Sequence, residues 1–371
     1  MKICYLASAD SIHTIRWIKY FYDRKHRISM ISLHPFTHPE MGEVQSYVFK
    51  PFPYQLRPLT TPFNQLYNLV RIRSLIGRIR PDIIHVHSFI HYAWLGYLSG
   101  FHPLVITAWG SDILKRPGES RSYKTKVQLA IRKADLLTCD ADHIIKPMVD
   151  LGARPEKIKI IFFGVDTRIF HPERKDDRLA EELGFSGHPL VISLRGLSPI
   201  YDIESLVRAA PGVLKSCPSA RFIIAGEGPL KSRLQELASS LGVNEAVRFI
   251  GNIPNDRLPR YLASSDVYVS TSLSDAGISS STAEAMACAR AVVITDFGDN
   301  RKWIEDGVSG YLVPLSDPGA LAARIIDLLN HPERRENFGK MARQVIMEKN
   351  DLYREMGKME TIYQQLIENR G

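Results

Sequence analysis

The sequence predicts an α/β fold in two successive domains, and three observations predict it. Short apolar runs alternate with amphipathic helical stretches along almost the whole chain, which is the pattern of parallel sheets covered on both faces. A polar, irregular segment, GVDTRIFHPERKDD from Gly164 to Asp177, interrupts the alternation near its middle and has the composition of a linker. The length of 371 residues fits two domains at roughly 100–200 residues each. The expected division is 1–165, 166–350 and a charged helical tail, 351–371, that crosses back onto the first domain.

In the first half, KICYLA (2–7) reads as a strand, followed by a helix through Tyr22. Ile28–Leu33 and Glu43–Phe49 read as strands, and a helix over 63–80 stops at Pro81. The strand DIIHVH (82–87), a helix from about Tyr92, the strand Leu104–Thr107, a helix near 123–133, the strand Leu136–Cys139, a helix over 141–150 and the strand Lys159–Phe162 follow. After the linker the strands are Leu190–Leu194, Arg221–Ala225, Val247–Ile250, Val267–Ser270, Ala291–Thr295 and Gly310–Val313. The helices between them are 202–215, 229–240, 256–263 and one that includes Thr282–Cys288, with a further helix at 318–330. In such sheets ligands bind beyond the carboxyl ends of strands. That rule marks Asp10–His13, His85–His91, Trp109–Asp112, Arg195–Tyr201 and the loop 275–284.

Hydrophobic residues make up 44% and charged residues 24%, as in ordinary globular proteins. No apolar run approaches the ~18 residues of a membrane span, and MKICYLAS has too short an apolar run for a signal peptide. The expected location is therefore cytoplasmic. Cys4, Cys139, Cys217 and Cys288 are scattered in apolar or small-residue surroundings, which fits buried thiols better than a disulfide framework or a zinc site. The net charge of +8 is uneven: residues 1–175 carry +12 and the remainder −4. Arginines 71, 73, 78 and 80 lie among apolar residues at helical spacing. They form either a solvated helix face or a face for anionic lipid head groups on the inner side of a plasma membrane. Nucleic acid is excluded as a partner, because no recognised module or aromatic platform accompanies the charge.

One stretch organises the second half: STSLSDAGISSSTAEAMACARAVVITDFGDNRKW, from Ser270 to Trp303. Its loop, Asp275 to Ser281, has few bulky side chains and feeds a helix. Accessible N–H groups at a helix start suit a phosphate. Glu284 follows on the small-residue run AEAMACA. It is either a solvated carboxylate on a packing helix or a ligand-binding one.

These segments, with DIIHVHS, VITAWGSDIL, IIFFGVDTRIFHP, FIIAGEGPLKSRL and VRFIGNIPNDRLPRYLASSDVYVSTS in order, resemble the retaining glycosyltransferases of family 4 over nearly the whole chain. The resemblance implies the GT-B architecture, two Rossmann-like domains facing across a cleft. It also implies an enzyme (hexosyltransferase-like) that moves a sugar from a nucleotide-diphosphate sugar to a hydroxyl, with no cofactor or metal. A glycan or lipid-linked envelope precursor is the implied acceptor. Arg195 matches the family's first basic residue at the diphosphate, and Glu284 the carboxylate on the ribose. Backbone of Gly277, Ile278, Ser279, Ser280 and Ser281 would cradle the donor, and the backbone near Arg248, Phe249 and Gly251 would contact the base. His87 matches a histidine at the donor sugar. His85 reads as a buried strand residue.

The chain departs from the pattern in places. Tyr201 stands near the family's second basic residue, so Arg301 or Lys302 is the candidate for the lost charge. Ala276 stands where the family has its first Glu, leaving Asp275 as the neighbouring candidate for the sugar hydroxyls. Trp109 replaces a frequent histidine, and Ser8–His13 replaces a Gly-Gly loop, which makes Trp109, His13 and Arg16 acceptor candidates. An epimerase or hydrolase of the same fold, or a binding subunit without turnover, is the alternative.

Overall fold

The computed structural model describes residues 1–36, 38, 41–51, 61–274 and 277–370. The chain divides into two compact units, Met1–Phe163 with Tyr353–Gly371, and Gly164–Leu352.

The first unit runs β1 (Lys2–Leu6), α1 (Ile12–Asp23), β2 (Arg27–Ser32), β3 (Gln45–Val48), α2 (Thr61–Ile79), β4 (Ile83–His87) and α3 (Tyr92–Ser99). It continues with β5 (Leu104–Thr107), α4 (Ser111–Leu114), α5 (Arg116–Glu119), α6 (Arg121–Lys133), β6 (Leu136–Cys139), α7 (Asp142–Asp150) and β7 (Ile158–Ile160). Among the described residues the strands form one parallel sheet in the order β3-β2-β1-β4-β5-β6-β7. β4 sits at its centre and is buried along its whole length, His85 and His87 included, as expected of a central strand covered on both faces.

The second unit runs α8 (Arg178–Glu182), β8 (Leu190–Leu194), α9 (Ile203–Ser216), β9 (Arg221–Ala225), α10 (Lys231–Ser240), β10 (Val247–Gly251), α11 (Leu258–Ala263) and β11 (Val267–Ser270). It then runs α12 (Ser280–Ala287), β12 (Ala291–Thr295), α13 (Asn300–Trp303), β13 (Tyr311–Val313), α14 (Pro318–Asn330) and α15 (Pro332–Lys349). Its parallel sheet has the order β10-β9-β8-β11-β12-β13. Val191, Val207, Phe222, Ile224, Val267, Val269, Val293 and Ile325 meet in one buried core between sheet and helices; side chains of this size each contribute about 1.5–3 kcal/mol on burial.

Two features go beyond the sequence reading. The segment from Gly164 is anchored rather than free. Val165 is buried, its N–H donates to the Asn350 carbonyl at 2.8 Å, and a Cβ on Gly164 would lie 2.7 Å from Leu352 Cα. The tail helix α16 (Leu352–Glu368) brings residues into the first unit's core: Tyr363 is fully buried against His85, and Glu360 holds Arg24 at 2.8 Å and His26 at 2.7 Å. All four cysteines are buried and free. Among the described residues, no helix is long and apolar enough to cross a membrane.

Candidate active site

In the second unit the chain leaves β8 for β9 and β10 on one side, then returns to β11 on the other. At such a reversal the loops after neighbouring strands diverge and leave a crevice. A pocket of about 200 Å3 lies there. It is lined by Arg195 and Gly196 after β8, Gly226 and Glu227 after β9, Asn252 and Ile253 after β10, and Ser281 and Glu284 of α12. Its floor is backbone pressed on backbone. Gly226 has φ +150°, and a Cβ there would lie 2.3 Å from the Arg195 carbonyl oxygen. A Cβ on Gly228 would lie 2.3 Å from that of Leu197.

Arg195 is held from two sides. Its Nη2 donates to Ser272 Oγ at 3.3 Å, and its guanidinium carbon lies 4.4 Å from the centroid of the Tyr201 ring. Tyr201 ends a 3₁₀ turn, Pro199–Tyr201, which is tied to the loop after β11 through Thr271 Oγ1 donating to the Tyr201 carbonyl at 2.9 Å. Glu284 is 3% exposed on the pocket wall, a cost that a carboxylate bears only when it is paired or hydrogen-bonded. Helix α12 starts at Ser279, whose Oγ accepts from Thr282 N–H at 3.3 Å. Tyr268 donates its hydroxyl to Ser281 Oγ at 2.8 Å.

In the first unit, a second cluster gathers at the carboxyl end of β4. His87 is 2% exposed; its Nδ1 is 3.0 Å from Thr14 Oγ1, and its buried Nε2 has no hydrogen-bond partner among the described residues. Trp109 packs edge-on to His87 at 5.6 Å and stacks on His13 at 5.1 Å. Burial and then the neighbouring Arg16 push the His13 imidazole down to about 4. Burial and then His13 push His87 down to about 3. Both rings are therefore neutral hydrogen-bonding groups at neutral pH. His85 lies behind them, fully buried between Tyr363 and Thr107, with Nε2 2.6 Å from Thr107 Oγ1. The buried Asp112 carboxylate accepts from Trp109 N–H at 3.1 Å and from Phe89 N–H at 2.9 Å.

Residues 175–345 match the family of glycosyl transferases group 1, and residues 2–141 match the glycosyl transferase 4-like family. The chain belongs to the group 1 glycosyltransferases. This glycosyltransferase is 25% identical over 303 residues to N-acetyl-α-D-glucosaminyl L-malate synthase of Bacillus anthracis, across 80% of this chain and 78% of that one. It is 33% identical over 187 residues to the GDP-mannose-dependent α-(1-6)-phosphatidylinositol monomannoside mannosyltransferase of Mycolicibacterium smegmatis, a match that spans about half of each (48% and 49%). Its fold is similar to that of Anabaena HepE solved with UDP-glucose, with a TM-score of 0.80 and 22% identity over 99% of this chain and all of that one. The fold is thus of the GT-B class.

Within this glycosyltransferase the pocket brings Arg195, Ser281 and Glu284 together. The first-unit cluster brings His13, Trp109 and His87 together, with Arg16 beside His13. Gly277, Ile278, Ser279 and Ser280 lead into α12, whereas Asp275 and Ala276 lie outside the described residues. Arg248 turns its guanidinium over the Phe185 ring at 4.5 Å and donates to the Leu183 carbonyl, and Phe249 packs on the core. The β9–β10 register shifts between Phe249 and Gly251, and Asn252 and Ile253, which follow them, line the pocket. Arg301 is exposed and ion-paired with Asp296, and Lys302 pairs with Asp299 at 3.0 Å. Sequence reasoning missed Gly226 and Glu227 as pocket residues, although the two glycines of AGEG after an apolar strand were a usable signal. It also missed Thr14 and Tyr363, which no local pattern marks.

Proposed function

We propose that this glycosyltransferase moves a sugar from a nucleotide-diphosphate sugar to a hydroxyl of a glycan or lipid-linked glycan precursor, with retention and without a metal. The observation that carries this reading is the convergence of Arg195 and Glu284 on one pocket at the strand-order reversal. A guanidinium there offsets the charge that a diphosphate gains as the glycosidic bond breaks, and a buried carboxylate accepts from two ribose hydroxyls. The N–H groups from Gly277 to Ser281, at the start of α12, supply further donors. The acceptor oxygen bonds to the sugar's anomeric carbon as the bond to phosphate breaks, and the departing phosphate oxygen takes the acceptor's proton on the same face. In the first unit, His13, Arg16 and Trp109 serve the acceptor, and neutral His87 hydrogen-bonds a hydroxyl. Relatives named for UDP-glucose complexes and for a phosphatidylinositol mannoside acceptor support the donor and acceptor classes. The basic first half supports attachment to the inner face of an anionic membrane.

Thermal shift against UDP, GDP and their sugars is expected to show stabilisation by at least one nucleoside diphosphate, since a ligand that binds only the folded state raises the melting temperature. Transfer assays with EDTA present, followed by NMR of the product's anomeric proton, complete the test. Inverted configuration, or activity abolished by EDTA and restored by a divalent cation, overturns the corresponding part.

A further inference from the structure

The first unit holds a second, larger cavity of about 520 Å3, inside the range of about 300–1,000 Å3 usual for small-molecule sites. Its walls come from α2, α3, α5, α6 and the segments that follow β2, β3 and β4. Phe49, Phe89, Trp94, Leu95 and Val127 make it apolar. The charged lining residues are Arg116 and Lys126, and no carboxylate lines it among the described residues. Lys126 Nζ sits 5.5 Å from the Trp94 ring centroid, and Trp94 itself donates Nε1–H to Gln65 at 2.8 Å.

The loop that joins this cavity to His87 is strained. Ser88 has φ +78° and His91 φ +66°, conformations that non-glycine residues rarely adopt. Tyr92 N–H donates to the Ile90 carbonyl at 2.8 Å across His91, a three-residue turn of the rare positive-φ kind. Such strain concentrates at ligand sites, where surrounding structure enforces it. The enforcing group here is Asp112. Its carboxylate takes the Phe89 and Trp109 N–H groups, and its carbonyl accepts from Tyr123 Oη at 3.0 Å. One buried residue thereby positions both the cavity wall (Phe89, Tyr123) and the aromatic partner of His87 (Trp109).

We infer that this cavity seats the hydrocarbon chain of an amphiphilic acceptor, an isoprenoid or acyl chain joined to an anionic phosphate head group. The chain fills the apolar interior, the phosphate meets Arg116 and Lys126, and the acceptor hydroxyl extends toward His87 and Trp109. This rests on the proposed transfer to a lipid-linked acceptor and narrows it to a chain-and-phosphate class.

Farnesyl phosphate is the probe, titrated against the full chain with intrinsic tryptophan fluorescence, because Trp94 lines the cavity. Saturable binding is expected. Asn68→Trp, at a half-buried α2 position facing the cavity, should weaken it by at least tenfold. Arg116→Gln with Lys126→Gln should weaken farnesyl phosphate about fivefold or more while leaving farnesol unchanged. Nucleoside diphosphate binding, which belongs to the second unit, serves as the folding control in every variant. Unaltered farnesyl phosphate binding in Asn68→Trp overturns the inference. So does absent binding by a chain that still transfers sugar to a soluble oligosaccharide, an outcome that leaves the proposed glycosyl transfer intact. Preference for an aromatic glycoside over farnesyl phosphate also overturns it.

Discussion

The guanidinium of Arg195 lies face-on to the ring of Tyr201, 4.4 Å from its centroid. A cation over a tyrosine face is stabilised by about 0.5–2 kcal/mol, depending on desolvation. Near the place where the resemblance implies a second positive charge, the chain has an aromatic ring packed against the first. Gly196 makes room for it, since a Cβ there would lie 3.0 Å from the Tyr201 ring.

Tyr201→Phe keeps the ring and should change kcat/KM for the donor less than threefold. Tyr201→Ala removes the platform and should lower kcat by about 2- to 30-fold, the size of the lost cation–π contact. Steady-state kinetics with a saturating acceptor read the difference. Equal kinetics for both variants would remove Tyr201 from the positioning role.

Arg195→Ala should cost about 10²–10³ in kcat, as for loss of one preorganised donor to developing charge. Arg301→Ala should stay within about threefold. Arg301 is already neutralised by Asp296 and exposed to water, where an ion pair contributes little. A comparable loss in both variants would restore Arg301 as the second cation at the diphosphate.

Much of this architecture was legible in the residues. Strands such as Leu190–Leu194 and Ala291–Thr295 are buried on both faces, and their short length and β-branched content mark their apolar runs as strands. Glu284 stood out because a carboxylate within AEAMACA needs a partner, and it does line the pocket. The His85–Tyr363 contact, 278 residues apart in sequence, had no local signature. The irregularity at Phe249–Gly251, just before the pocket residues Asn252 and Ile253, is likewise not encoded by side-chain period alone.

Glu284→Gln keeps the shape but removes the charge. Hydrogen bonds to a charged acceptor contribute about 1.5–3 kcal/mol each, so the dissociation constant for the nucleoside diphosphate should rise roughly 10- to 100-fold. Calorimetric titration of UDP or GDP measures it. Unchanged affinity would return Glu284 to a packing role.

Gly226→Ala tests the pocket floor. The added methyl would sit 2.3 Å from the Arg195 carbonyl oxygen, at a φ of +150° that side chains avoid. Relief requires the Arg195 backbone to move, so nucleotide affinity should fall by at least tenfold. The melting temperature should drop as well. Gly187→Ala is a control for a positive φ without a close approach, since its φ is +73° and nothing lies within 4 Å of its Cβ. Similar nucleotide affinity in the two variants would show that the close approach at Gly226 is dispensable.

The histidine cluster predicts an acid sensitivity with a definite sign. His13 and His87 have folded-state values near 4 and near 3, against 6.5 for the free side chain. Above pH 6.5 both rings are neutral folded or unfolded, so they leave stability unchanged. Below 6.5 the unfolded chain binds protons that the folded chain refuses. Each ring then costs on the order of 1.4 kcal/mol per pH unit until its folded value is reached. Melting temperature should therefore fall as pH drops from 7 toward 5. Substituting His87→Gln removes one refused proton, so the slope of unfolding free energy against pH should be shallower by about one proton, whatever the variant's absolute stability. Parallel slopes for wild type and variant would mean that His87 is protonated in the folded enzyme as readily as in the unfolded chain. It would then be neutral only above about pH 6.5, as a free imidazole is.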